Sequence, residues 1–204
     1  MSLHGTRAHL ADPAGLPPLV ERAAQTAQQL DFPYSCRPEQ GRLLHALAAG
    51  ARRIGETGTG CGVGLAWLVS GMRTGATAVS VERDPVRAEA AAKLFAPYAP
   101  DVHVVCAQWT EIAAHGPFDL LVLDGGGQGK DAGGAAADPA ALLTPGGLLV
   151  VDDFTPSAGQ PPTFQGRPDT ARLHWLEHPA LHTVEIPLAP DFAVLVGTRT
   201  GTAL

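Results

Sequence analysis

A chain of 204 residues, 45 % apolar and 17 % charged, is long enough for one domain with its own core. Its net charge of −6, with basic residues scattered and only Lys93 and Lys130 as lysines, offers no electrostatic footprint for nucleic acid or an anionic membrane. No apolar run approaches the ~18 residues of a membrane span, no secretory leader is evident, and Cys36, Cys61 and Cys106 form no Cys-x-x-Cys pair, so reduced thiols in a cytoplasmic protein are expected.

Residues 1–18, punctuated by Pro and Gly, read as a loose arm ahead of a single domain over 19–204. Leu19 to Leu30 has amphipathic helical spacing and stops at Asp31-Phe32-Pro33. A second helix runs from Pro38 to Ala49 with Leu43, Leu44 and Leu47 on one face. Arg53 to Thr57 predicts a strand. After a glycine turn, Leu65, Leu68, Val69 and Met72 recur at i, i+3, i+4 and i+7, a helix with one buried stripe. Thr77 to Glu82 is the second strand, and Asp84-Pro85 supplies an N-cap and a first-turn proline for a helix to about Ala96. Val102 to Cys106 and Phe118 to Leu123 are further strands, the latter apolar enough to be covered on both faces.

Gly125 to Ala137, nearly all Gly and Ala, is either a mobile lip over a site or a plain surface loop. An Ala-rich helix from about Asp138 leads to a fifth strand, Leu148 to Val151. Asp169 caps a last helix reaching His178, and Leu181 to Pro187 with Phe192 to Thr198 close the chain as an antiparallel hairpin. Strand–helix alternation with continuous apolar strands predicts an α/β fold: a doubly wound, Rossmann-like, mostly parallel sheet ending in that hairpin. Ligands of such sheets bind beyond the carboxyl ends of the strands, which here are Glu56, Glu82, Ala107-Gln108, Asp124 and Asp152-Asp153.

The turn Glu56-Thr57-Gly58-Thr59-Gly60-Cys61-Gly62-Val63-Gly64 lets backbone N–H groups approach a ligand closely. No register satisfies Gly-x-Gly-x-x-Gly, because Val63, Leu65 and Trp67 occupy the third-glycine positions. Glu56 stands where a pyrophosphate would pass, and anion beside anion is costly in a partly dehydrated site. An acidic group there suits a cationic ligand, and S-adenosylmethionine carries an ammonium and a sulfonium but no phosphate. No Gly-x-Ser-x-Gly elbow or phosphate loop occurs, which removes hydrolase and nucleoside-triphosphatase readings.

Pro38-Glu39-Gln40-Gly41-Arg42-Leu43-Leu44, Glu56-Thr57-Gly58, Val81-Glu82, Phe118 to Asp124 and Leu142-Leu143-Thr144-Pro145-Gly146-Gly147 fall in the order of the class I S-adenosylmethionine-dependent methyltransferases. The stretch 36–155 resembles most closely the catechol/caffeoyl-CoA-type O-methyltransferases, small enzymes that often use a divalent cation and often dimerise. The resemblance implies that Glu56, Gly58, Thr59, Gly60 and Gly62 hold the methionine part of the cofactor. Glu82, with Arg83 beside it, would take the ribose hydroxyls, and Gln108 and Trp109 would meet the adenine; many relatives have Asp where this chain has Gln108. Asp124 would contact the cofactor and take part in catalysis. Asp124, Asp152 and Asp153 match the positions that hold a cation, and their hard oxygens suit Mg²⁺ or Ca²⁺.

The family's catalytic Lys lies three residues beyond the strand-4 Asp, and that position here is Gly127. Lys130, three further on, either swings into the site as a base or is solvated surface. The segment Phe154 to Arg167 follows the fifth strand as an acceptor wall, with Phe154, Phe164 and Trp175 as apolar contacts. His174 and His178 have the i, i+4 spacing of a metal pair but no third ligand, and read as helix surface with His115 in a solvated loop. The leading expectation is O-methylation of a small-molecule acceptor with S-adenosylmethionine. A metal-free methyltransferase on another acceptor atom, or a binding protein that kept the cofactor site without chemistry, are the alternatives.

Overall fold

The apolar run Phe118–Leu123 forms β4 at the centre of a seven-stranded sheet, and its alternate residues face two separate cores. The computed structural model describes residues 4–130, 134–157 and 159–201. The sheet is built from β1 (Arg53–Thr57), β2 (Thr77–Glu82), β3 (Val102–Cys106), β4, β5 (Leu143–Phe154), β8 (Leu181–Ala189) and β9 (Phe192–Arg199), in the order β3-β2-β1-β4-β5-β9-β8. The first five pair in parallel, and β9 and β8 add an antiparallel hairpin at one edge. A separate two-stranded ribbon joins β6 (Thr163–Phe164) to β7 (Arg167–Pro168). The doubly wound arrangement with its closing hairpin is as the sequence predicts.

Leu120 and Val122 face one core, shared with helices α2 (Pro18–Gln29), α3 (Pro38–Ala48), α4 (Val63–Gly71) and α5 (Pro85–Phe95). Leu121 and Leu123 face the other, which Ile112 and Trp175 help to close. Trp175 belongs to α7 (Thr170–Leu176), and the short α6 (Pro139–Leu142) lies on the same side. The expected single stripe on α4 is instead burial of Val63, Leu65, Ala66, Trp67, Leu68 and Val69 together, because α2 and α3 pack over it. Truncating Leu65 or Leu68 to Ala in so tight a setting costs about 2–5 kcal/mol.

Three expectations change. The arm is not loose over its described part: α1 (Gly5–Ala11) packs on α2 and α3, and Thr6 Oγ1 donates to the Phe32 carbonyl at 2.7 Å. The Ala-rich helix shortens to one turn, because β5 begins at Leu143 and runs through the Pro145-Gly146-Gly147 stretch. Asp169 does cap α7, which ends at Leu176 rather than His178. Cys36 and Cys61 are buried as expected, whereas Cys106 is exposed.

What pins α1 is a buried imidazole. Trp67 Nε1 can only donate, so His9 Nε2 accepts from it at 2.9 Å and Nδ1–H donates to the Gly5 carbonyl at 2.8 Å. The ring is therefore neutral in the fold, and burial holds its pKa below the ordinary value, opposed by Glu39 and reinforced by Arg42. A depressed histidine pKa means that the unfolded chain binds the proton more readily, so this stability is present above about pH 6.5 and is lost as pH falls below it. Thermal unfolding from pH 8 to pH 5 should show the advantage of the wild type over His9→Gln shrinking as pH falls. A constant difference would contradict the neutral, bonded ring.

Candidate functional site

The carboxyl ends of β1, β2 and β4 open into a cavity of about 580 Å³. Glu82 is its best-anchored wall residue. Gly60 N–H donates to Oε2 at 2.8 Å, Asp84 N–H donates to Oε1 at 2.9 Å, and Arg87 Nη2 donates to Oε1 at 3.0 Å. Both oxygens thus point along fixed directions, with lone-pair capacity left mainly on Oε2. The glycine turn makes this bond reachable: Gly58, Gly60 and Gly62 all have positive φ, at 82°, 54° and 92°.

Of the residues expected at the cofactor, Gly58, Glu82, Arg83, Gln108, Trp109 and Asp124 line the cavity. Glu56, Thr59, Gly60 and Gly62 are not on its wall; they form the layer behind it. Glu56 is buried, accepts from Ser80 Oγ at 2.5 Å and presses on Gly64, whose Cβ would stand 2.4 Å from Oε1. Burial pushes its carboxyl up to about 8, Ser80 opposes this, and Asp124 and Glu82 add to it. Thr59 Oγ1 shares a 2.5 Å bond with Ser80, completing a bracing chain beneath the loop. Cys61 also fills space there, its thiol raised to about 11 by burial.

The distal wall comes from a region whose motifs give no hint of it. Phe32 and Tyr34, between α2 and α3, line the cavity with Arg87. Arg87 stacks 5.0 Å over the Phe32 ring while it pairs with Glu82 and, at 3.4 Å, Asp84. The only sequence signal for this is an Arg five residues beyond the β2 acid.

At the other end, β5 departs from its register with β9 between Val151 and Phe154, and Asp153 takes a left-handed φ of 65°. Such a bulge re-aims side chains, and here it turns two consecutive aspartates toward Asp124. One carboxylate oxygen from each of Asp124, Asp152 and Asp153 lies within 4.8 Å of the others. Burial, then the neighbouring Asp152, raises Asp124 to about 7, and burial raises Asp152 as well. Three convergent carboxylates with hard oxygens fit a divalent cation, whose charge would relieve that cost.

Lys130 is brought into the site. Its ammonium donates to the Asp153 carbonyl at 2.7 Å and to that of Asp152, and lies 3.8 Å from the centre of the Phe154 ring. Burial lowers its pKa to about 8, against the pull of Asp152 and Asp124. The Gly-rich loop that carries it is tied down over its described part. Gln128 Nε2 donates to the Leu123 and Asp152 carbonyls, Trp175 Nε1 donates to the Gln128 carbonyl, and Ala137 N–H donates to that of Gly127. Trp175 is therefore buried core rather than a wall of the site. Residues 131–133 of the expected lip lie outside the described residues. The His174 and His178 rings meet edge-to-face, with centroids 5.3 Å apart.

A second cavity, about 680 Å³, lies beyond β5 under the β6–β7 ribbon, and Lys130 and Asp153 line both cavities. The paired cavities, one walled by a fixed carboxylate, backbone glycines and the Phe32, Tyr34 and Trp109 rings and the other by Phe154, Phe164 and the β6–β7 ribbon, suit a reaction between a cofactor and a separate acceptor.

Comparison with known proteins agrees with this geometry. The family described as "Methyltransferase domain" matches residues 56–154. A protein of Mycobacteroides abscessus named "Putative O-methyltransferase" is 31 % identical over 150 residues, covering 67 % of this chain and 69 % of that one. The cofactor-bound Rv0187 structure from MTB superposes with a TM-score of 0.74 at 24 % identity, over 98 % of this chain and 99 % of the other. The O-methyltransferase TomG from Streptomyces achromogenes, solved with SAM, gives 0.69 at 22 % identity, over 98 % and 100 %. The chain belongs to the O-methyltransferase family.

The loop's tightness is testable by a paired substitution. A Cβ at Gly58 would stand 2.3 Å from the Gly125 backbone, while one at Gly75, with a similar φ of 78°, would meet nothing within 4 Å. Gly75→Ala should cost only the left-handed strain of about 1–2 kcal/mol. Gly58→Ala should lower the unfolding midpoint further and abolish S-adenosylhomocysteine binding. Equal midpoints for the two variants would contradict the close approach of the β1 and β4 loops.

Proposed function

We propose that the protein transfers the methyl group of S-adenosylmethionine to an oxygen of a small-molecule acceptor. The observation that carries the reading is the junction: the cavity walled by Glu82 and the glycine loop and the cavity under the β6–β7 ribbon meet at Lys130 and Asp153. In this reading Glu82 accepts the ribose hydroxyls through the capacity left on its oxygens, Gln108 and Trp109 take the adenine, and the Gly58 turn holds the methionine end. The transferred methyl then points toward Asp124 and the junction.

Methyl transfer is an in-line displacement, in which the C–O bond forms as the S–C bond breaks and S-adenosylhomocysteine leaves, so the protein's main contribution is placement. Lys130 Nζ is held by two backbone carbonyls and the Phe154 face, and in the neutral amine form that its lowered pKa makes accessible it is the group positioned to receive the acceptor hydroxyl's proton. It fills the role that a lysine at the Gly127 position would otherwise play. Asp124, Asp152 and Asp153 would hold a divalent cation, and when bound it would lower the pKa of the acceptor hydroxyl and orient it. The acidic surface and the scattered arginines agree with a small-molecule acceptor rather than nucleic acid. Among the described residues no helix is long and apolar enough to cross a membrane.

Transfer of labelled methyl from S-adenosylmethionine, with and without chelator, tests both parts. Lys130→Met should lower kcat on the order of 10²-fold with S-adenosylhomocysteine affinity within about twofold of wild type. Chelation should stop turnover and added Mg²⁺ restore it. Unchanged rates in Lys130→Met would remove this residue from catalysis, and chelator-insensitive turnover would favour the metal-free alternative.

A further inference from the structure

The second cavity has a charge and shape pattern that the reaction itself does not require. Its floor is Phe154, and its far side is the β6–β7 ribbon, closed by a turn in which Gln165 and Gly166 both have positive φ, at 51° and 74°. An aromatic and a cationic residue stand together on that ribbon. Phe164 and Arg167 are register partners across it, so their side chains leave the same face, and both line the cavity.

The ribbon is held firmly at its base. Asp169 N–H donates to the Pro162 carbonyl, and the Asp169 carboxylate both caps α7 and binds Arg172 Nε at 2.9 Å. Buried Arg172 also donates to Glu185 and to the Thr155 carbonyl, and lies 5.0 Å over the Phe154 ring. Its charge is thus matched by two carboxylates and is not available to a ligand. Lys130 is occupied by the backbone carbonyls at the junction. Arg167 differs: it is exposed, and among the described residues it forms no ion pair. Beside it Phe164 leaves 54 % of its surface exposed, so a large part of the ring is open to a ligand.

A guanidinium fork next to an open ring is a recognition pair for a flat anion: the fork takes a carboxylate through two parallel N–H donors, and the ring covers an aromatic face. We propose that this cavity selects an acceptor in which a hydroxylated aromatic ring carries a carboxylate, with Phe164 on the ring, Arg167 on the carboxylate and the hydroxyl directed to Lys130. The inference rests on the methyl-transfer reading only for the last of these contacts.

Calorimetric titration of protein loaded with S-adenosylhomocysteine, using hydroxyaryl carboxylates and their matching carboxamides, tests it. The carboxylate of each pair should bind on the order of tenfold tighter, with the margin shrinking as salt is raised. Arg167→Gln should erase the margin, Arg167→Glu should reverse it, and Phe164→Ala should weaken both members of each pair alike. Arg167 is on the surface, so unfolding midpoints should stay near wild type and the ratio remain readable. Equal affinity within pairs, no binding of either member, or a margin that survives Arg167→Glu would each overturn the inference. A carboxylate preference with no labelled methyl transferred to any ligand would uphold the anion-selecting ribbon and sink the methyl-transfer reading instead.

Discussion

Adjacent strands of one sheet end in carboxylates at the same edge: Glu56 on β1, Glu82 on β2, Asp124 just past β4 and Asp152 within the end of β5. Like charges gathered in a partly desolvated site are costly, and each of these groups is dealt with in a distinct way. Glu82 is stabilised by backbone N–H donors and Arg87. Glu56 is buried against Ser80 with its pKa raised to about 8. Asp124 and Asp152 are raised as well, with Lys130 close by. A cavity whose acidic rim is stabilised at one end and strained at the other favours a ligand bringing positive charge to the strained end, and a sulfonium cofactor does so.

The same constraint explains the backbone irregularities. The Gly60 N–H can reach Glu82 only because the loop turns through three positive-φ glycines, and the β1 and β4 loops can meet only because Gly58 and Gly125 lack side chains. The bulge in β5 gives up ladder pairing between Val151 and Phe154 and, in exchange, sets Asp152 and Asp153 toward Asp124. Behind them Arg172 ties the chain after β5, α7 and β8 into one support, so the acceptor side is carried by buried ion pairs rather than by loop packing alone.

Much of this was legible in the residues. Alternation of apolar strands and amphipathic helices gives the sheet, and strands β1 to β4 fall where their apolar runs predict. Glu82, Gly58, Gln108, Trp109 and Asp124 could be placed at the cavity because a strand end is a position that local pattern defines. What escaped depends on long-range packing. Glu56 reads as a ligand contact, yet the pleat turns it beneath the loop onto Gly64. His9 lies in a Pro/Gly-punctuated stretch, and only its distant partner Trp67 makes an ordered helix of it. Lys130 reads equally as a base that swings in or as surface, because the bonds of Gln128 and Trp175 that draw its loop down are long-range. Phe32 and Tyr34 carry no motif, and a two-residue ribbon such as β6–β7 is too short for any periodicity to announce it.

The central claim is that Glu82, held by the glycine loop, is the anchor of an S-adenosylmethionine site. Titration calorimetry with S-adenosylhomocysteine and, in parallel, NAD tests it most directly on the wild type and on Glu82→Ala. The account predicts saturable binding of the homocysteine compound, no binding of NAD, and at least a tenfold loss of affinity in the variant, as expected for charge-assisted hydrogen bonds worth about 1.5–3 kcal/mol. Absence of binding to the wild type, or equal affinity in Glu82→Ala, would contradict it.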